Sequence, residues 1–229
     1  MKFITYTNNG CTEMCKNLIA SARISGIDDN DFIVACIDKL AFETMRDFHS
    51  NSYLFIDQDV TEYHNYSQDI GNKFRNLMWI KLDIIYQNYQ KYGKICYTDC
   101  DIVFRKDPRL FFKTNKTLLQ DEFPNGTACA GFMVFNEDQA SKDFLEITLE
   151  NVEVFQTHAG TDQELINHLI STAIISNDKY EYLDKNKFLN GMCFHDGRSL
   201  EDAIIVHNNC IIGIDNKINR FKYYNLWYI

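Results

Sequence analysis

Six consecutive apolar residues, Phe32-Ile33-Val34-Ala35-Cys36-Ile37, run straight into Asp38, and this run constrains the fold more than any other pattern in the chain. A strand that is apolar on both sides has to be covered on both sides, the situation of a strand inside a parallel sheet between two helical layers. Flanking segments supply such a sheet. Lys2 to Tyr6 reads as a first strand, followed by a helix from Thr12 to Ser25 with Met14, Leu18, Ile19 and Ala22 at helical spacing and Gly26 as its stop. A helix over Ala41–Phe48, a strand over Tyr53–Ile56, a long helix over Lys73–Tyr92 ended by Gly93, and a strand over Lys94–Thr98 follow. This alternation predicts an α/β, Rossmann-type, mostly parallel sheet with helices on both faces. Further on, strands are expected at Thr117–Gln120, Cys129–Phe135, Tyr180–Leu183 and Ala203–Val206, with helices over Gln139–Val154 and Thr161–Thr172. At 229 residues and 45% hydrophobic, without repeat or linker, the chain is expected to form a single domain over 1–229.

A net charge of −9 with no basic run argues against nucleic acid or an anionic membrane as partner. No segment reaches the ~18 apolar residues of a membrane span. Met1-Lys2 leads directly into the first strand, which leaves no room for a signal peptide or anchor. Of the eight cysteines, Cys36, Cys96, Cys129 and Cys210 lie in apolar stretches, where a free thiol behaves as a small hydrophobe. Cys11 and Cys15 have no matching pair at zinc spacing. A reduced, cytoplasmic protein is expected.

In open parallel sheets ligands bind beyond the carboxyl ends of the strands. Thr7-Asn8, Asp38 and the Asp99-Cys100-Asp101 triplet all lie at such ends. Chance alone supplies about two Asp-x-Asp triplets in a chain this rich in Asp. Asp29-Asn30-Asp31 falls in a polar turn and Asp57-Gln58-Asp59 ends a short strand but runs into a polar loop, whereas Asp99-Cys100-Asp101 has apolar strand on either side. Alternation along one strand turns both carboxylates to the same face, and paired hard oxygens suit a divalent cation that also holds a phosphate. Lys81 sits on the apolar stripe Phe74, Leu77, Met78 and Ile85, about 18 Å up the long helix from Gly93, the height Asp99 reaches on the returning strand. As a buried charge its replacement by Met is expected to hold or raise stability while weakening ligand binding. His207 ends an apolar strand, as a metal or phosphate ligand would, and Gly213, Lys217 and Arg220 form the cationic patch beyond it.

Together these residues resemble the nucleotide-diphospho-sugar transferases, the GT-A class of glycosyltransferases, most of all the group containing the plant rhamnogalacturonan xylosyltransferases. Tyr97 to Pro108 looks like the metal-binding strand of that class, and the similarity continues through Gly131-Phe132-Met133, Asp162 to Asn167, His207-Asn208-Asn209, Gly213, Lys217 and Asn225-Leu226-Trp227. A short loop after Pro108, and Ala130 where a threonine is common, depart from the pattern. The resemblance implies a GT-A-like single domain that transfers a sugar from a nucleotide-diphosphate donor, with UDP-sugar favoured, to a glycan or glycoprotein acceptor. It implies Mn²⁺ (or Mg²⁺) on Asp99, Asp101 and His207. Lys217, with the backbone near Gly213, would grip the diphosphate, and Thr7, Asn8 and Asp38 would line the nucleoside pocket. Lys81 and Arg75 would reach the donor, with Cys100 and Gly131 beside it. Asp162 would bind sugar hydroxyls and Gln163 would lie beneath the anomeric carbon, with retention of configuration. The C-terminal segment would close over the diphosphate and be mobile without it.

Two other readings compete. Asp99-x-Asp101-x-Val103 also fits the nucleophile pattern of haloacid-dehalogenase phosphatases, but that motif opens a chain on its first strand and needs a later acidic pair. A catalytically weak nucleotide-sugar-binding module of the same fold would bind donor without turnover. A calcium loop fails, because the sixth and twelfth positions from Asp99 are Phe104 and Leu110.

Overall fold

The structure, a computed structural model, describes residues 1–57, 71–156 and 160–229, with the backbone alone at 71–78 and 156. The first half contains β1 (Lys2–Thr7), α1 (Thr12–Ile24), β2 (Phe32–Cys36), α2 (Lys39–Phe48), β3 (Ser52–Leu54), α3 (Gly71–Tyr92), β4 (Ile95–Thr98) and β5 (Ile102–Phe104). The second contains β6 (Thr117–Asp121), β7 (Ala128–Phe135), α4 (Gln139–Glu150), α5 (Val152–Gln156), α6 (Asp162–Ser171), β8 (Tyr180–Tyr182), β9 (Phe188–Leu189), β10 (Ile205–His207) and α7 (Ile214–Tyr223).

Seven strands form one sheet in the order β3-β2-β1-β4-β7-β6-β8. β3, β2, β1 and β4 are parallel, while β7 runs antiparallel to both β4 and β6. Successive side chains feed two cores. Phe3, Phe32, Cys96 and Phe132 pack with Met14, Leu18 and Met45 of α1 and α2 on one face. Ile4, Ile33, Tyr97 and Met133 pack with Leu82, Phe144 and Leu165 of α3, α4 and α6 on the other. Every residue of β2 is buried, which accounts for its unbroken apolar run. A smaller sheet, β5-β10-β9, carries Val103, Leu189 and Val206 into a third cluster closed by Phe221 of α7 and by Leu226. Among the described residues no helix is long and apolar enough to cross a membrane.

Two local expectations are corrected. The Asp-x-Asp triplet does not lie within one strand; the chain leaves the large sheet after Thr98 and enters the small one at Ile102. The Asp99 N–H donates to Gly131 O at 2.8 Å beside the β4–β7 ladder, and Asn208 N–H donates to Asp101 O at 2.7 Å beside the β5–β10 ladder. The helix expected over Gln139–Val154 is broken at Asn151, whose Nδ2 donates to Ile147 O at 2.8 Å and ends α4. His207 is the last residue of β10, as expected, paired with Ile102.

Candidate functional site

Thr7 ends β1, and Asn8 turns the chain by accepting the Cys11 N–H on its side-chain oxygen at 3.1 Å. Asp38 does something similar after β2. Its Oδ1 accepts Ala41 N–H at 2.7 Å, capping α2, and its Oδ2 accepts Asn9 N–H at 2.7 Å. Both carboxylate oxygens are engaged by backbone, and Asp38 ties two loops together rather than lining the cavity they border.

The sheet change sets Asp99 and Asp101 against His207 from β10, with one ligand atom from each within 4.8 Å of the others. Gly131 of β7 faces this group. A Cβ there would lie 2.3 Å from His207 Cε1 and 2.8 Å from Asp99 Oδ2, so the strand can carry no side chain at this point. Two carboxylate oxygens, an imidazole nitrogen and a space left open by a glycine fit Mn²⁺ or Mg²⁺. Asp101 is buried, with Lys217 Nζ 2.5 Å from Oδ2 and His207 Nε2 3.3 Å from Oδ1. Burial alone would raise its carboxyl, yet Lys217 and then His207 hold it well below the usual carboxylate range.

Opposite stands a second charged group. Asp162 opens α6 behind a capping box in which Thr161 Oγ1 accepts Glu164 N–H and Glu164 accepts Thr161 N–H. Asp162 is ion-paired with Lys81; the two are 1% and 3% exposed. Lys81 also donates to Ala130 O at 3.2 Å, lies 3.9 Å from Asp99 and sits 5.4 Å over the Tyr97 ring. Burial works against the Lys81 charge, but Asp162 and Asp99 reverse that and hold its ammonium above the ordinary lysine value. For Asp162, burial prevails over Lys81 and its carboxyl is raised. Gln163 Oε1 accepts Ala130 N–H at 3.2 Å, anchoring α6 to β7. Tyr97, two residues before Asp99, donates its hydroxyl to Asp99 Oδ1.

At the C-terminal side, Gly213 takes φ +93° as the N-cap of α7, and Lys217 projects one turn later. Arg220 does not face the cavity. Its Nε donates to Asn208 Oδ1 at 2.5 Å, and its guanidinium also donates to Asn209 O and lies 4.5 Å over Phe194. Past α7, Asn17 donates to Leu226 O at 3.1 Å and accepts Tyr228 N–H at 2.6 Å. These two bonds tie the tail beyond α7 to α1.

Thr7, Asn8, Lys81, Asp99, Cys100 and Asp101 line one cavity of about 470 Å³. Gly131, Asp162, Gln163, His207 and Lys217 line it as well, whereas Asp38, Gly213 and Arg220 do not. Arg75, like Phe74, Leu77 and Met78, lies outside the described side chains. Sequence reasoning missed Tyr97, although its shared strand face with Asp99 was readable, and Gln120, whose only signal was one amide among apolar strand residues.

The pattern of the nucleotide-diphospho-sugar transferases matches residues 28–221. The UDP-galactose:fucoside alpha-3-galactosyltransferase of Dictyostelium discoideum is 26% identical over 282 aligned positions, which cover 100% of this chain and 43% of that protein. The chain thus spans less than half the length of this curated relative. Among solved structures, the galactosyltransferase LgtC superposes with TM-score 0.59 at 11% identity, covering 99% of this chain and 95% of LgtC. A glycosyltransferase involved in glycosylation of the PBCV-1 major capsid gives 0.58 at 14% identity, over 97% and 100%. Mouse xyloside xylosyltransferase 1 gives 0.56 at 11% identity, over 91% and 97%. The phosphatase alternative has no support here, since the triplet follows β4 and the match spans most of the chain. This chain belongs to the nucleotide-diphospho-sugar transferase family, glycosyltransferases with the GT-A fold.

Proposed function

We propose that the cavity binds a nucleotide-diphosphate sugar, UDP-sugar favoured, with Mn²⁺ or Mg²⁺ on Asp99, Asp101 and His207, and transfers the sugar with retention to a glycan or glycoprotein acceptor. The observation that carries this reading is the meeting, in one cavity, of the carboxylate–imidazole set, Lys217 and the Lys81–Asp162–Gln163 wall. The bound cation would supply a Lewis acid for the charge that builds on the leaving nucleoside diphosphate. Thr7 and Asn8 hold the nucleoside end. Lys217 exchanges its partner Asp101 for the phosphates, and Arg75 and Lys81 reach the donor from α3. Asp162, kept in place by Lys81, accepts hydrogen bonds from sugar hydroxyls. Gln163 lies under the anomeric carbon; an amide is a poor nucleophile, so the acceptor hydroxyl attacks from the face the diphosphate leaves and gives its proton to a departing phosphate oxygen. Cytoplasmic residence is supported by eight unpaired thiols.

The test is a panel of UDP- and GDP-sugars with Mn²⁺, read as nucleotide release by hydrolysis, which bypasses the acceptor. UDP-galactose comes first, because the curated relative is named for it. Asp101→Ala is expected to abolish release while circular dichroism stays native. Full turnover in excess chelator overturns metal dependence. Donor binding without release from any donor overturns the transferase in favour of a binding module.

A further inference from the structure

Gln120 is completely buried in β6, an unusual place for an amide. The β6–β7 register shifts between Leu119 and Gln120, so that Leu119 pairs with Met133 but Gln120 with Cys129. Such irregularities re-aim a side chain beside an active site. Here the amide is aimed between β9 and β10. Its Nε2 donates to Phe188 O at 3.3 Å and to Leu189 O at 3.1 Å. Both partners are carbonyl oxygens, which accept only; a flipped amide would set oxygen against oxygen twice. The NH₂ group must face β9, and Oε1 must therefore face His207, whose Nδ1 is 2.8 Å away.

From this geometry we infer that Gln120 is a positioning residue that fixes the tautomer of His207, an inference that rests on the metal reading above. An amide oxygen accepts, so at 2.8 Å Nδ1 has to carry the hydrogen between them; the Cys129 thiol, 3.6 Å from Nδ1, is the longer and weaker partner. With hydrogen on Nδ1, the neutral ring presents its lone pair at Nε2, towards Asp101 Oδ1 at 3.3 Å and into the cavity. The charged ring pairs with Asp101 through Nε2–H; in the neutral ring the Nε2 lone pair and Oδ1 are two acceptors that a shared cation brings together. In the other tautomer Nε2–H would donate to Asp101 and offer a metal nothing. A buried amide some 87 residues away in sequence thus decides whether the third ligand exists.

The experiment measures Mn²⁺ affinity of the nucleotide-free protein by electron paramagnetic resonance, in wild type, His207→Ala, Gln120→Met and Gln120→Glu. Gln120→Met is expected to weaken Mn²⁺ binding about 10–100-fold, whereas Gln120→Glu, protonated and able to mimic the amide, stays within about threefold of wild type. Long-range ¹⁵N–¹H spectra of the neutral ring should show Nδ1–H in wild type and Nε2–H in Gln120→Met. Unchanged affinity in His207→Ala overturns the metal reading and this inference with it. If His207→Ala loses affinity but Gln120→Met does not, or if both Gln120 variants lose it equally, Gln120 has only a structural role. Should Gln120→Met fail to fold, an Nε2–H signal in wild type overturns the inference by itself.

Discussion

Replacing Lys81 by methionine should destabilise the protein, the reverse of the outcome expected from a lone lysine on an apolar stripe. The structure pairs Lys81 with Asp162, both almost fully buried, so the variant strands a carboxylate. Breaking one side of a buried pair costs about 3–5 kcal/mol. A ceiling follows from protonation. A stranded Asp162 can neutralise itself, and doing so at pH 7 from an unfolded value near 3.9 costs about 4 kcal/mol, but only about 1.5 kcal/mol at pH 5. Asp162 is already raised by burial despite Lys81, and removing Lys81 raises it further. An acid raised in the folded state binds more protons there, so the variant loses stability as pH rises above the unfolded value. Urea unfolding at both pH values should therefore show a loss of about 3–4 kcal/mol at pH 7, shrinking to about 1.5 kcal/mol or less at pH 5. Lys81→Met/Asp162→Asn, with no charge left in the pair, should be more stable than Lys81→Met at pH 7. A loss of equal size at the two pH values, or none at either, would refute the reasoning.

Gly131→Ala should remove nucleotide release, because its Cβ would lie 2.3 Å from the His207 ring, while overpacking costs about 1–3 kcal/mol in a melt; normal turnover would show that β7 can yield. Buried His49, whose Nε2 lies 2.9 Å from Phe32 O, is pushed below the ordinary imidazole value by burial, with Phe32 O opposing. Its contribution should be complete above its unfolded value of about 6.5 and decline as pH falls towards the lower folded value, and His49→Gln should flatten that part of a urea-derived stability profile. Asn17→Ala leaves the Leu226 carbonyl and the Tyr228 N–H without their partner. The expected loss is about 1–3 kcal/mol, with faster cleavage of the tail by carboxypeptidase.

What could be read from the chain was what neighbouring residues decide. The runs in β1, β2 and β7 and the helical spacing of Met14, Leu18 and Ala22 carry their own period, so sheet and flanking helices were visible. Remote partners decided the rest. Asp38 looks the same in sequence whether it meets a ligand or, as here, two backbone amides. Arg220 looks like a phosphate clamp until Asn208 and Phe194 are placed around it. The break between β4 and β5 depends on acceptors and donors at Gly131 and Asn208, and the pairing of Lys81 with Asp162 spans two distant helices. Height along α3 brought Lys81 to the right level, but nothing local could name its partner.

The switch of sheets at Asp99–Asp101 has a mechanical consequence. Asp99 is joined to the large sheet through Gly131, whereas Asp101 and His207 belong with the small one. A cation held by the three would act as a rivet across the seam between two layers that otherwise meet through side-chain packing and the Gln120 hydrogen bonds to β9 and His207. Loading the rivet should transmit its binding energy to both plates. Amide hydrogens of Ile205–His207 and of Ile102–Phe104, free to exchange by opening of the small sheet alone, should then exchange only when the whole domain opens.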